Sequence, residues 1–209
     1  MGAKCIIFDM DGTLIDSSGA MTQSVNFVRE HIGLAPIDKK ELEYYINQPD
    51  QHLPKIFYNT EEYDPTHRAL FKEHYMQNST TSLLYPDVKE MLHYLSLKTS
   101  LCIATNASDF FARQMLQALD IERYFAAIVG ANNVGVPKPD PLMLQHLMQL
   151  TASTIEETVL IGDSIKDEQA AYNAKIDFIF VEWGYGTSEN ASLRVHNVHE
   201  LLALLNTFI

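Results

Sequence analysis

The amino-acid sequence predicts an α/β protein with a Rossmann-like parallel sheet and an inserted helical domain. Short apolar segments alternate with helical patterns over most of the chain, which is typical of βαβ units. A helical stretch interrupts this alternation directly after the first apolar segment. Residues 1–16 and 84–209 are therefore expected to form the core domain, and residues 17–83 an α-helical cap domain.

The first predicted element is a buried strand over residues 4–8, which ends before Gly12. Asp16-Ser17 then predicts the N-cap of the first cap helix, and apolar residues at helical spacing predict three more helices before Ser82. The core resumes with predicted helices at 87–97, 109–119, 141–150 and 167–174, each followed by a strand, at 101–105, 126–130, 158–162 and 177–182. Asn197 and Glu200 predict a capping box for a last helix over 200–205.

Charge and hydropathy exclude several classes of protein. The chain has 209 residues and a formal net charge of -12, which argues against a nucleic-acid surface because phosphate contacts need clustered Lys and Arg. No apolar run approaches the ~18 residues of a membrane span. A strand begins almost at the N-terminus, and Cys5 and Cys102 fall in predicted buried strands, where reduced thiols are expected. We therefore expect a cytoplasmic enzyme, monomeric or homodimeric.

Two carboxylates lie at the end of the first predicted strand. Asp9 and Asp11 follow the apolar run directly, and an extended chain would direct both to the same side. Burying two carboxylates at a strand end is costly unless a cation meets them there. The pair could hold a divalent cation, supply a nucleophile and an acid, or do both.

Two later strands end in the same kind of residue. The strand at 101–105 leads into Thr105-Asn106, and the strand at 158–162 leads into Asp163, with Asp167 following. The carboxyl ends of parallel strands share one edge of a sheet, and ligands bind outside that edge. Lys138 lies between two prolines, whose rings restrict the backbone and hold the lysine in place. We expect all these side chains to meet at one site.

Four short motifs resemble those of the haloacid dehalogenase-like (HAD) hydrolases, in order and in approximate spacing. They are Asp9-Met10-Asp11-Gly12-Thr13-Leu14, Thr105-Asn106, Lys138, and Gly162-Asp163-Ser164-Ile165-Lys166-Asp167. The resemblance extends from residue 4 to about residue 183. It implies a HAD-like core with a helical cap inserted after the first strand.

The resemblance also implies a Mg²⁺-dependent phosphatase that hydrolyses a small phosphorylated metabolite through an aspartyl phosphate. Asp9 would attack phosphorus, Asp11 would act first as acid and then as base, and Lys138 would balance negative charge. Mg²⁺ would be held by Asp9, the backbone carbonyl of Asp11 and Asp163, with Asp167 in support. Phosphate and substrate contacts would come from Thr13, Thr105 and Asn106.

The cap is expected to select the substrate, because the core residues address only the phosphoryl group and the metal. The segment Asn47-Gln48-Pro49-Asp50 joins two predicted cap helices, and Gln48 is the candidate for the substrate contact. Arg29, Lys55 and Arg68 are further candidates for contact with an anionic group. The chain differs in two places from the phosphoglycolate-phosphatase-like branch that it resembles. It has Ala107 where that branch often has a lysine, and its cap segment lacks the glycine that is expected there.

Four functions compete on the sequence alone. A phosphatase similar to the phosphoglycolate-phosphatase-like branch is favoured over a phosphomutase of the β-phosphoglucomutase type. The others are a haloacid dehalogenase and a non-enzymatic regulatory or binding protein on the same fold. Asp11 argues against dehalogenation, which needs no acid at that position, and the complete set of acids argues against a non-enzymatic scaffold. The cap decides between phosphatase and mutase.

Overall fold

The structure is a computed structural model that describes residues 4–48 and 51–209. Its strands are β1 (Cys5–Phe8), β2 (Ile15–Asp16), β3 (Leu83–Leu84), β4 (Ser100–Thr105), β5 (Phe125–Gly130), β6 (Thr158–Gly162), β7 (Asp177–Val181) and β8 (Leu193–Val195). Its helices are α1 (Ser18–His31), α2 (Lys39–Asn47), α3 (Leu53–Tyr58), α4 (Pro65–Asn78), α5 (Val88–Ser96), α6 (Asp109–Ala118), α7 (Ala131–Val134), α8 (Leu142–Thr151), α9 (Ile165–Ala174) and α10 (Val198–Leu205).

Six strands form one sheet in the order β5-β4-β1-β6-β7-β8, and every neighbouring pair is parallel. This confirms the predicted α/β fold. β1 lies inside the sheet, between β4 and β6, so the carboxyl end of β1 is flanked by the ends of two other strands. The residues that follow these three strands therefore converge on one edge of the sheet.

The sheet is buried on both faces by two separate layers of helices. Ile6 and Phe8 of β1 pack into one apolar cluster with residues of α5, α6 and α10. Cys5 and Ile7 point to the opposite face and pack with residues of α8 and α9. This alternation along one strand explains why β1 has an unbroken apolar sequence, and it anchors the strand that carries Asp9.

The helical insert leaves and rejoins the core through a short antiparallel ladder. Ile15 of β2 pairs with Leu84 of β3, and Asp16 pairs with Leu83. Along the chain, helices α1 to α4 follow β2 and precede β3. They enclose an apolar cluster of their own, which includes Val28. These observations agree with the expected cap, and the division at residues 17 and 83 stays a prediction.

Several details differ from the sequence-based expectation. The sequence does not predict β2, β3 or α7, which have four residues or fewer. It does not predict β8 either, because this strand has three residues, includes an exposed arginine and lies in a polar segment. Asn197 does accept a hydrogen bond from Glu200, but α10 begins at Val198, not at residue 200. Ser17 occupies the N-cap position of α1 and makes no capping hydrogen bond with its side chain. Within the described residues, no helix is both long and apolar enough to cross a membrane.

Candidate active site

The carboxyl edge of the sheet gathers acidic side chains from two strands that lie side by side. Asp9 directly follows β1, and its backbone N–H continues the ladder by donating to Ile161 O of β6 at 2.8 Å. Asp163 directly follows β6, and Asp167 lies in the first turn of α9. Oxygens of these three buried carboxylates lie within 4.8 Å of one another. The fold therefore assembles a compact acidic cluster at the position expected for ligand binding.

Lys138 is the cation of this cluster. Its buried ammonium donates to Asp9 Oδ1 at 2.5 Å, to Asp167 Oδ1 at 2.6 Å and to the carbonyl of Ala104 at 2.7 Å. The three donors of a lysine are thus all used. Asn106 fixes the lysine backbone, because its amide donates to Lys138 O at 3.1 Å and accepts from Lys138 N at 2.7 Å.

Asp167 serves two structural partners at once. Its Oδ2 accepts from the backbone N–H of Ser164 at 3.2 Å, which is one half of the capping box of α9. The same oxygen also accepts from the Ser164 hydroxyl at 2.5 Å. Its Oδ1 pairs with Lys138. Because both oxygens have close partners, Asp167 suits a supporting position better than a direct metal ligand.

Asp163 is oriented by the chain that follows β7. Its Oδ2 accepts two backbone hydrogen bonds, from Tyr185 and from Gly186, both at 3.1 Å. Its Oδ1 has one long contact, 3.4 Å from the hydroxyl of Thr13. One oxygen of Asp163 is therefore held in place, and the other remains available to a ligand.

The donor set fits a hard divalent cation. Three buried carboxylates share a single buried ammonium, so the cluster keeps an excess of negative charge that burial makes costly. Carboxylate oxygens are the ligands that Mg²⁺ prefers, in small number beside waters and a phosphate oxygen. Asp9 and Asp163, with the backbone carbonyl of Asp11, are the groups that would hold such an ion.

The pKa directions reflect this excess of negative charge. Burial raises the pKa of Asp9, and the contribution of Lys138, which lowers it, does not cancel that effect. Burial and the charge of Asp167 raise the pKa of Asp163 to about 7. Burial alone would lower the pKa of Lys138, but Asp167 and Asp9 raise it, so the lysine stays protonated. A bound cation would lower the pKa of both aspartates.

Gly12 allows the first motif to approach Asp163 closely. Its φ is +85°, and a Cβ at this position would lie 2.3 Å from Asp163 Oδ2. A larger residue would therefore be strained and would displace the carboxylate. Thr13 follows, and its buried hydroxyl lies 3.5 Å from Asp9 Oδ2.

The structure brings most of the predicted core residues together. Thr105 ends β4 at the same edge, and its hydroxyl accepts from the backbone N–H of Ala107 at 3.1 Å. Thr13 lies between Asp9 and Asp163, whereas the amide of Asn106 is occupied by the backbone of Lys138. The substrate and phosphate contacts assigned to these residues stay predictions.

Asp11 has partners of its own and lies outside the acidic cluster. Its Oδ1 accepts a hydrogen bond from the hydroxyl of Ser17. Burial raises the pKa of Asp11, although the Ser17 hydrogen bond and Lys138 act in the opposite direction. A carboxyl group with a raised pKa is suited to donate a proton near neutral pH.

The cap approaches the site at the end of α2. Lys166 of α9 donates from Nζ to the carbonyl of Ile46 at 2.5 Å, two residues before Gln48. Gln48 is the C-cap of α2, and its role in substrate contact stays a prediction. Pro49 and Asp50 of the same predicted loop lie outside the described residues.

The other cap cations named from the sequence have structural partners. Arg29 donates to the backbone carbonyls of Ala35 and Phe57, both at 2.6 Å. Lys55 pairs with Glu61 at 2.8 Å on the surface. Arg29 therefore holds the cap together in this structure and does not present a free guanidinium.

Two features of the site have no site role in the sequence-based prediction, Ser17 and the loop of residues 183–186. The sequence predicts Ser17 only as part of a helix cap. The position of the loop in the sequence could have indicated its place, because the loop follows a parallel strand and therefore lies at the same edge of the sheet as the three acids. Only the tertiary structure shows that the loop binds Asp163.

Comparison with known proteins agrees with this geometry. The family model described as haloacid dehalogenase-like hydrolase matches residues 6–181. A phosphoglycolate phosphatase of Chromobacterium violaceum is 29% identical over 216 residues, which cover 97% of this chain and 96% of the relative. A phosphoglycolate phosphatase of Colwellia psychrerythraea is 31% identical over 90% of this chain and 88% of its own length.

Solved structures support the same fold. A haloacid dehalogenase-like family hydrolase from Streptococcus pneumoniae superposes with a TM-score of 0.85 and 23% sequence identity. The match covers 97% of this chain and 98% of the other. The likeness extends over the sheet and the helical insert together.

Proposed function

Since the chain belongs to the haloacid dehalogenase-like hydrolases, in the phosphoglycolate-phosphatase-like branch, we propose that this phosphoric monoester hydrolase acts on a small phosphorylated metabolite with Mg²⁺. The reaction proceeds through a phosphoryl group carried on Asp9. The single observation that carries the proposal is the position of Asp9, which is in contact with Lys138 and shares the acidic cluster with Asp163.

The first half of the reaction transfers the phosphoryl group to the protein. An oxygen of Asp9 attacks phosphorus, and the bond from phosphorus to the leaving oxygen breaks. Asp11 gives its proton to that oxygen, so the product leaves as an alcohol. Lys138 holds Asp9 in position and balances the charge that gathers on the phosphoryl oxygens.

The second half of the reaction releases phosphate. Asp11, now ionised, takes a proton from water, the water oxygen attacks phosphorus, and the bond to Asp9 breaks. This restores a protonated Asp11 and a free Asp9 carboxylate. When bound, Mg²⁺ would supply charge neutralisation for the phosphoryl group and for the acids that surround it.

The core residues address the phosphoryl end of a substrate, so we assign the choice among phosphomonoesters to the cap. Gln48 lies two residues beyond Ile46, whose carbonyl accepts a hydrogen bond from Lys166 of the core. The names of the two curated relatives make phosphoglycolate the first compound to test. A panel of phosphorylated metabolites should follow, with kcat/KM measured for each.

The nucleophile is tested by Asp9→Asn, because an amide is a poor nucleophile. We expect turnover to fall on the order of 10⁴-fold or more. After acid quenching with substrate, the mass of wild type should increase by one phosphoryl group and that of Asp9→Asn should not. Asp177→Asn is the matched control, since this exposed residue begins β7 at the opposite edge of the sheet. Wild-type turnover by Asp9→Asn would refute the mechanism.

The acid is tested by Asp11→Asn with two kinds of leaving group. The parameter kcat/KM covers the steps up to transfer of the phosphoryl group. For an alkyl phosphate it should fall about 10²–10⁴-fold, because an alkoxide needs a proton to leave. For an aryl phosphate whose leaving group is an acidic phenol, kcat/KM should fall much less. Equal losses would mean that Asp11 is not the acid.

A further inference from the structure

The loop of residues 183–186, which we call the Trp183 loop, is fixed to two of the motifs at once. The indole N–H of Trp183 donates to Thr13 O at 3.0 Å, and the N–H groups of Tyr185 and Gly186 donate to Asp163. A Cβ at Gly184 would lie 2.3 Å from the Cβ of Asp163, so the backbone packs directly against this residue. The contacts of the loop backbone with Asp163 therefore fix the position of Tyr185 relative to the site.

The hydroxyl of Tyr185 reaches towards Asp11 through one other residue. Tyr185 Oη lies 3.4 Å from Ser17 Oγ, a long hydrogen bond, and Ser17 Oγ donates to Asp11 Oδ1. A hydroxyl has a single proton to donate. Because the proton of Ser17 goes to Asp11, Tyr185 must be the donor to Ser17. The order of donation is Tyr185 to Ser17 to Asp11.

We propose that Ser17 and Tyr185 are positioning residues that hold Oδ1 of Asp11 as an acceptor, so that Oδ2 carries the proton that Asp11 transfers. This inference rests on the proposed function, in which Asp11 is the acid. Ser17 and Tyr185 do not touch the reacting atoms and act through Asp11.

The surroundings of Asp11 favour this assignment. Ser17 donates a side-chain hydrogen bond to Oδ1 of Asp11, which orients the Asp11 carboxyl. Ser17 is fully buried and leaves α1 without a side-chain cap, so its hydroxyl serves Asp11 in place of the helix. Without this bond, the carboxyl group could rotate and present either oxygen, which would lower the fraction of productive complexes.

The test measures kcat/KM for an alkyl phosphate and for an aryl phosphate with a good leaving group. For the alkyl phosphate, Ser17→Ala should lower kcat/KM about tenfold to a hundredfold, the range for leaving a buried acceptor without its partner. Tyr185→Phe should lose about fivefold, because its hydrogen bond is long. Both variants should lose less than about twofold with the aryl phosphate, and Ser17→Thr should restore most of the activity.

A double variant tests whether Tyr185 acts through Ser17. Ser17→Ala/Tyr185→Phe should be no slower than Ser17→Ala alone, because Tyr185 has no link to Asp11 once the Ser17 hydroxyl is absent. Losses that multiply would overturn the order of donation. The matched control is Tyr172→Phe, which removes a hydroxyl from a side chain that is 82% exposed on α9, and it should match wild type.

The outcomes separate this inference from the proposed function. Suppose that Asp11→Asn lowers kcat/KM mainly for the alkyl phosphate, whereas Ser17→Ala and Tyr185→Phe lower kcat/KM equally for both substrates or for neither. The positioning role is then refuted, and the role of Asp11 as the acid stands. If Asp11→Asn itself shows no selectivity, the proposed function fails. The melting temperature of each variant shows whether it is folded, and Tyr185→Phe, which removes one oxygen, keeps the test valid if Ser17→Ala does not fold.

Discussion

The core edge and the cap use polar side chains in opposite ways. At the core edge, buried Lys138 bonds to Asp9 and to Asp167, which lie in segments far from it in sequence. In the cap, polar side chains such as Arg29 and Asn26 bond mainly to nearby backbone of the cap itself. The first arrangement concentrates buried charged groups at one edge of the sheet, and the second holds the cap helices together.

This difference indicates where changes should have large effects. Water does not solvate a buried charge that has lost its partner. Single substitutions at the core edge should therefore lower both the stability and the reaction rate. The end of the cap near Gln48 is less buried than the core edge, and the carbonyl of Ile46 there accepts a hydrogen bond from Lys166 of the core. Substitutions there should alter which substrate is chosen more than the rate of the chemical step.

Of the changes that test this difference, the largest effect on stability is expected for Lys138→Met. It removes the ammonium that Asp9 and Asp167 share, so the free energy of unfolding should fall by about 3–5 kcal/mol. Turnover should fall at least about 10²–10³-fold, since a charge-stabilising group is lost. Chemical denaturation and steady-state kinetics measure the two effects. Lys89→Met is the control, because Lys89 pairs with Asp120 on the surface and its loss should leave both values unchanged. A stable, active Lys138→Met protein would contradict the buried pair.

The second prediction concerns metal binding. Mg²⁺ at 100 times its dissociation constant should stabilise the folded protein by about 2.7 kcal/mol. Asp163→Asn should remove most of this gain, because it replaces a carboxylate whose Oδ1 is available to a ligand. Asp177→Asn should keep the whole gain. Thermal unfolding with and without Mg²⁺ measures the effect, and an equal gain in wild type and Asp163→Asn would show that Asp163 is not a ligand.

The third prediction concerns pH and follows from the raised pKa of Asp163, about 7 against an ordinary 3.8. The folded protein holds this proton more tightly than the unfolded chain does. The resulting stability is complete below the ordinary value and is lost as the pH rises through about 7. Without Mg²⁺, wild type should therefore lose stability relative to Asp163→Asn between about pH 5 and about pH 8.

Mg²⁺ should reverse that trend, because protons and the cation compete for the same carboxylates. The increase in melting temperature caused by Mg²⁺ should be larger at about pH 8 than at about pH 5. Melting temperatures of wild type and Asp163→Asn at both pH values provide the measurement. A gain from Mg²⁺ that does not change with pH would contradict the buried acidic site.

The smallest effect is expected in the cap, for Gln48→Ala. We expect kcat/KM values among phosphorylated metabolites to shift relative to one another by about tenfold or less, the scale of one neutral hydrogen bond. Hydrolysis of a small aryl phosphate should be unchanged. Gln149→Ala, an exposed substitution on α8 of the core, is the control. An unchanged ranking of substrates would assign selection to another part of the cap.

Local patterns were enough to predict the core of the site. Apolar strands that end in Asp9 and Asp163 identify both the strands and their functional ends, because parallel strands bring equivalent ends to one edge. Lys138 could be predicted as a residue held in place by its prolines. Its bonds to Asp9 and Asp167 required the structure, since they join residues 129 and 29 positions apart.

The cap was less predictable for a physical reason. Arg29 is a plausible anion contact by residue type, but its partners are backbone carbonyls brought near by the packing of α1 and α3. Backbone carbonyls are present in every residue and leave no mark in the sequence. The choice between a substrate contact and a structural one is therefore made by the fold.

The sequence by itself determined the type of fold and the strand ends that carry acids, because side-chain type and apolar spacing are local properties. Its four motifs indicated the class of chemistry through their resemblance to a known family. The tertiary structure alone decided which atoms meet. It placed Tyr185 against Ser17, 168 residues away, and Trp183 against Thr13, 170 residues away. Such contacts depend on how distant segments pack together, and no local pattern encodes that packing.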